Sequence, residues 1–116
     1  MKKIVITNLV AEGVTIEGKI NSHSSIRIDG TFKGDIVVES SQGIIVGPTG
    51  FIEGNIKSGG LVVLGKVKGK IDADSIEIRQ SGLIEGEMKY QDLEVFSGGK
   101  FYGTTIDQKQ EETKLT

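Results

Sequence analysis

At 116 residues the chain has the size of one domain, and 17 glycines against a single proline favour short β-strands with glycine bends over a helix bundle or a proline-rich linker. Lys+Arg number 14 against 16 Asp+Glu, a net charge of −2 that lacks the basic footprint of a dedicated nucleic-acid binder. The absence of Cys excludes disulfides, thiol nucleophiles and thiolate metal sites, and no apolar run approaches the roughly 18 residues of a spanning helix.

At the start, Met1-Lys2-Lys3 precedes Ile4-Val5-Ile6 in the manner of a signal peptide. Thr7-Asn8 breaks the apolar stretch and no small-residue cleavage site follows, so a cytoplasmic protein is expected. Residues 1–12 have two readings. They form a strand laid over the first coil, or a tail whose Lys2, Lys3, Ile4, Val5 and Ile6 touch a membrane, each basic residue contributing about 1 kcal/mol near an anionic surface.

From residue 13 to 106 a repeat governs the chain. An apolar-x-Gly-x-apolar unit occurs six times: Ile16–Ile20, Phe32–Ile36, Ile52–Ile56, Val67–Ile71, Ile84–Met88 and Phe101–Thr105, the last ending on a polar residue. Its glycines stand at 18, 34, 54, 69, 86 and 103, a mean separation of 17. A second glycine lies four residues earlier in five units (Gly30, Gly50, Gly65, Gly82, Gly99), with Val14 in its place in the first. Apolar-x-apolar pairs precede those glycines: Ile26/Ile28, Ile44/Val46, Leu61/Val63, Ile76/Ile78 and Leu93/Val95. Alternation buries one face of a strand, and so short a strand is stable only when stacked on its copies. Three strand pieces per unit predict a single-domain, all-β parallel β-helix, three-sided, with about six coils stacked roughly 4.8 Å apart. Parallel crossovers favour a right-handed coil.

The outward position before each key glycine reads Glu17, Lys33, Glu53, Lys68, Glu85, Tyr102. The alternating signs favour neighbouring coils in this register and penalise a one-coil slip. Residues 39–43 (Glu-Ser-Ser-Gln-Gly) predict a polar loop bulging from one corner, and Val46-Gly-Pro-Thr-Gly50 a turn that keeps Pro48 off the ladder. Residues 107–116, polar and aperiodic, are expected to be a disordered tail.

Chemistry is scarce. His23, the single histidine, sits among serines as a polar corner residue. The hexapeptide-repeat acyltransferases use a histidine base on a solenoid, but their apolar residue every six positions is not kept here, and a three-histidine zinc site cannot be assembled. Pairs such as Glu85/Glu87 and Asp72/Asp74 read as solvated outer faces, as do Lys66, Lys68 and Lys70. No catalytic residue, metal ligand or cofactor is expected.

A solenoid has two ends with unpaired strand edges, normally shielded by caps. Here the polar tail cannot seal the last coil, where Val95, Phe96, Phe101 and Tyr102 gather, and Val14, Ile16 and Ile20 mark the first. Such ends invite other ends: two different isologous contacts generate an open chain without polarity. An adaptor that recruits a cell-wall enzyme without polymerising is the alternative.

The runs Ser25–Ile36, Val46–Ile56, Leu61–Ile71 and Ser81–Met88 resemble the bactofilin signature, and the likeness spans about residues 9–106. The resemblance implies a right-handed triangular β-helix between short disordered tails. It also implies nucleotide-free, end-to-end assembly into non-polar cytoskeletal filaments, often at the inner face of the cytoplasmic membrane, and a peptidoglycan hydrolase or other cell-shape protein as partner. Phe101 in Gly99-Lys-Phe-Tyr-Gly103 matches the inward aromatic near the C-terminal end that the family uses in polymerisation.

Overall fold

The computed structural model describes residues 6–39 and 41–107. Ten strands follow one another: β1 (Ile6–Val10), β2 (Thr15–Ser22), β3 (Ser25–Ile28), β4 (Thr31–Val38), β5 (Gly43–Val46), β6 (Phe51–Val63), β7 (Lys66–Ile78), β8 (Leu83–Tyr90), β9 (Asp92–Val95) and β10 (Lys100–Asp107). Every pairing is parallel. Because a parallel pair needs a crossover between its strands, the chain winds as a β-solenoid.

Two ladders of six rungs each account for all the strands. One runs β2, β4, the first half of β6, the first half of β7, β8 and β10. The other runs β1, β3, β5, the second half of β6, the second half of β7 and β9. Six rungs are separated by five steps, so the molecule makes about five turns, slightly fewer than the six coils expected.

The key glycines form an unbroken column, Gly18↔Gly34↔Gly54↔Gly69↔Gly86↔Gly103. Each adopts a positive φ, between 130° and 145°, where the first ladder turns a corner. From Gly34 onward a side chain there is excluded twice. Beyond the strained φ, a Cβ on Gly54 would lie 1.8 Å from the carbonyl oxygen of Gly34.

The core is a set of apolar columns running along the axis. Phe32, Ile52, Val67 and Ile84 form one and Ile28, Val46, Val63 and Ile78 another, all with 0 % exposure. Identical positions on successive rungs touch, so the periodicity of the sequence becomes the packing of the interior.

Two features differ from the three separate strand pieces read in each unit. β6 and β7 run unbroken through their second corner, which is tight enough for buried Ser58 to stack on buried Ala73. The expected 39–43 loop is shorter, because Gly43 already belongs to β5, and Gln42 ties the interrupted corner down: its carbonyl accepts the Gly59 and Gly60 amides and its side chain accepts the Ser25 hydroxyl at 2.9 Å. At the N-terminus, β1 begins at Ile6 and pairs with β3, so part of the 1–12 segment is the first rung of the second ladder. Lys2, Lys3, Ile4 and Val5 lie outside the described residues, as does the expected tail beyond Asp107, which itself closes β10.

Candidate functional site

The apolar columns change character at the two ends. In the column of Phe32, Ile52, Val67 and Ile84, the first member, Ile16, is 37 % exposed, and the last, Phe101, is only partly buried against the core. In the column of Ile28, Val46, Val63 and Ile78, Val95 is 50 % exposed. These residues stand in the inward columns like their neighbours, and among the described residues no further rung covers them. Among the described residues no strand pairs with the outer edges of β1 and β2 at one end or of β9 and β10 at the other. Among the described residues each end therefore couples exposed apolar side chains to strand edges with which no further strand pairs, the arrangement that templates strand addition.

The ends are not equivalent. At the first coil Val10 of β1 is itself buried, so the apolar opening is confined to Val14 and Ile16, with Ile20 half-buried against the core. At the last coil Val95 and Phe101 stand in inward columns, while Tyr102 is outward and exposed in the column of Glu85. Phe96 occupies the outer corner, its ring 4.4 Å from the Arg79 guanidinium, so it forms the rim of the end rather than its floor.

Among the described residues the titratable side chains of the flanks stand apart from one another except for a few ion pairs. His23 is an exposed corner residue whose Nδ1 lies 2.5 Å from Glu39, a pairing across one turn of the solenoid that sequence spacing did not reveal. Among the described residues no group of His, Asp or Glu could hold a metal ion, and no helix is long and apolar enough to cross a membrane. A trough of about 420 Å³ runs along the side that follows the glycine corner. Lys19, Asp35, Lys70 and Glu87 line it, and they succeed one another along its length rather than converging on a point.

Parallel stacking of short strands, with apolar columns emerging at Ile16 and at Val95 and Phe101, defines the β-solenoid class of repeat protein. Residues 8–105 match the model of the bactofilin family, described as polymer-forming and cytoskeletal, and the chain belongs to this family. It is similar to bactofilin BacO of Myxococcus xanthus, with 26 % identity over 92 % of this chain and 85 % of that protein. BacP of the same organism is 25 % identical over 85 % of this chain and 41 % of its own length. Among solved structures, a cryo-EM reconstruction of Thermus thermophilus bactofilin double helical filaments superposes with a TM-score of 0.73 and 27 % identity, covering 86 % of this chain and 98 % of that one.

Proposed function

We propose that this chain is a structural cytoskeletal subunit that assembles end to end, without nucleotide, into non-polar filaments. The observation that carries this reading is the pair of uncovered ends: columns fully buried along the molecule emerge at Ile16 on one side and at Val95 and Phe101 on the other. Stacking like on like covers both, each contact being isologous, and the alternation of the two contacts yields an open polymer. That a bactofilin of similar fold forms filaments supports the reading. We further propose that the polymer lies at the inner face of the cytoplasmic membrane, where it acts as a scaffold for cell-wall and cell-shape proteins, with residues 1–5 as the membrane-contacting segment.

The test is negative-stain electron microscopy of the purified protein without nucleotide beside the Phe101→Arg variant, which places an unpaired charge where a second subunit would bury it. Filaments in the wild type and none in the variant support the proposal; discrete particles in both overturn it in favour of a non-polymerising adaptor. Membrane contact is read separately by liposome sedimentation. Removal of residues 1–5, which leaves β1 whole, is expected to abolish pelleting with anionic vesicles, and unchanged pelleting rules the segment out as the anchor.

A further inference from the structure

The end of a wound coil is not flat. Among the described residues the chain enters the second ladder at Ile6 and leaves the first ladder at Asp107. Both points lie on one corner column, which joins Ser22 to Ser25 in the first coil and Tyr90 to Asp92 in the last. Each end surface is therefore a ramp that passes once round the three sides. It drops by one rung, about 4.8 Å, at that corner. The drop stands between Ser22 and Ile6 at the first end and between Asp107 and Asp92 at the last.

Two such ramps related by a two-fold axis meet flush in only one way, whatever their hand. When the axis passes through the drop, the rise of one ramp matches the fall of the other all the way round. An axis through either other corner leaves at least one of the three sides a full rung apart, and the apolar columns on that side stay uncovered. The flush axis emerges through the middle of the opposite side, which is the part of the first ladder before its glycine corner. That part runs from Val14 to Gly18 at the first end and from Gly99 to Gly103 at the last, so its middle is Ile16 or Phe101. We propose that each end-to-end contact is built on this axis, so that Ile16 packs on Ile16 of a second copy and Phe101 on Phe101, the strand edges pairing antiparallel across the junction. The proposal rests on the filament reading above and gives that contact its rotational register.

The side chains agree with this register. Antiparallel pairing centred on Phe101 sets the exposed Tyr102 opposite Lys100 of the second copy, an aromatic ring beside an ammonium. Centred on Ile16, it sets Glu17 opposite Thr15. Neither arrangement places like charges directly opposite each other, whereas pairing centred on Lys100 sets two lysines face to face. On the remaining sides the second half of β10 meets β9 of the other copy. The half-exposed Val95 is then covered at Thr105.

Introduced cysteines test the register, since the chain has none of its own. Directly opposite residues of an antiparallel pair have Cα atoms about 5 Å apart, within disulfide reach, whereas residues displaced by two positions stand about 8 Å apart, beyond it. K100C protein mixed with Y102C protein is therefore expected, under mild oxidation, to give disulfide-linked dimer at least about tenfold above either variant alone. T15C mixed with E17C reports the first end in the same way. All four positions are exposed, so the core is left untouched. Electron microscopy of the same samples reports assembly independently. Equal yields from the single variants, or filaments without a cross-link in either mixture, overturn the register and leave the filament reading standing. Cross-linked dimers without filaments keep the register and remove the filament reading, and the absence of both overturns both. Cross-linking of Y102C with E17C, which a head-to-tail continuation of the coil places opposite each other, overturns the two-fold contact together with the non-polar filament.

Discussion

Gly69 and Gly18 occupy the same place in the repeat, with φ of +138° and +136°, yet only one of them is enclosed. A Cβ on Gly69 would lie 1.9 Å from the Gly54 carbonyl oxygen, whereas one on Gly18 meets nothing within 4 Å. Gly18→Ala is therefore expected to cost only the backbone strain, about 1–3 kcal/mol. Gly69→Ala adds a clash with backbone that cannot swing away and is expected to cost more than about 4 kcal/mol, a large part of a small domain's stability. Urea denaturation of the two variants checks the difference, and equal midpoints contradict the close stacking. A similar distinction applies to Gly47, where an added Cβ meets the end of the Asp29 side chain at 1.9 Å. That atom can move, so Gly47→Ala displaces the Arg27–Asp29 pair rather than the fold. The key glycines were legible in the sequence because they recur. The Ser25–Gln42 and His23–Glu39 contacts were not, because each joins residues 16 or 17 apart that only the completed turn brings together.

Strand register was legible for the same reason that it is stable. The outward column Glu17, Lys33, Glu53, Lys68, Glu85, Tyr102 read from spacing is the column observed, one residue per rung. The close ion pair in this region is nonetheless diagonal, Lys66 Nζ lying 3.9 Å from Glu85, so the alternation acts mainly through the field of neighbouring rungs. Lys68→Glu puts three acidic rungs in succession and is expected to destabilise the fold by about 1 kcal/mol at low ionic strength, with most of the loss recovered in about 1 M salt. A salt-independent loss of the same size would assign it to packing of the lysine stem. β1 shows where periodicity ends. Ile6-Thr-Asn-Leu-Val10 has no glycine signature, and its register slips between Ile6 and Asn8, so nothing local marks it as a rung. It belongs to the second ladder because β3 offers it an edge.

At the scale of the whole molecule, the two ends are chemically different surfaces, and this determines how assembly fails. The first coil opens at Val14 and Ile16, and the last at Val95 and Phe101. In a non-polar filament each surface meets only its own kind, so disabling one leaves the other intact. Phe101→Arg is expected to stop the polymer at dimers joined through their first coils, and Ile16→Asp to stop it at dimers joined through their last. Only the double variant Ile16→Asp/Phe101→Arg yields the 12.4 kDa monomer. A polar filament behaves otherwise, because each contact then consumes one surface of each kind and either single substitution gives monomers directly. Sedimentation velocity at low micromolar concentration separates the cases. Dimers from both single variants establish like-to-like stacking, whereas monomers from both require head-to-tail growth.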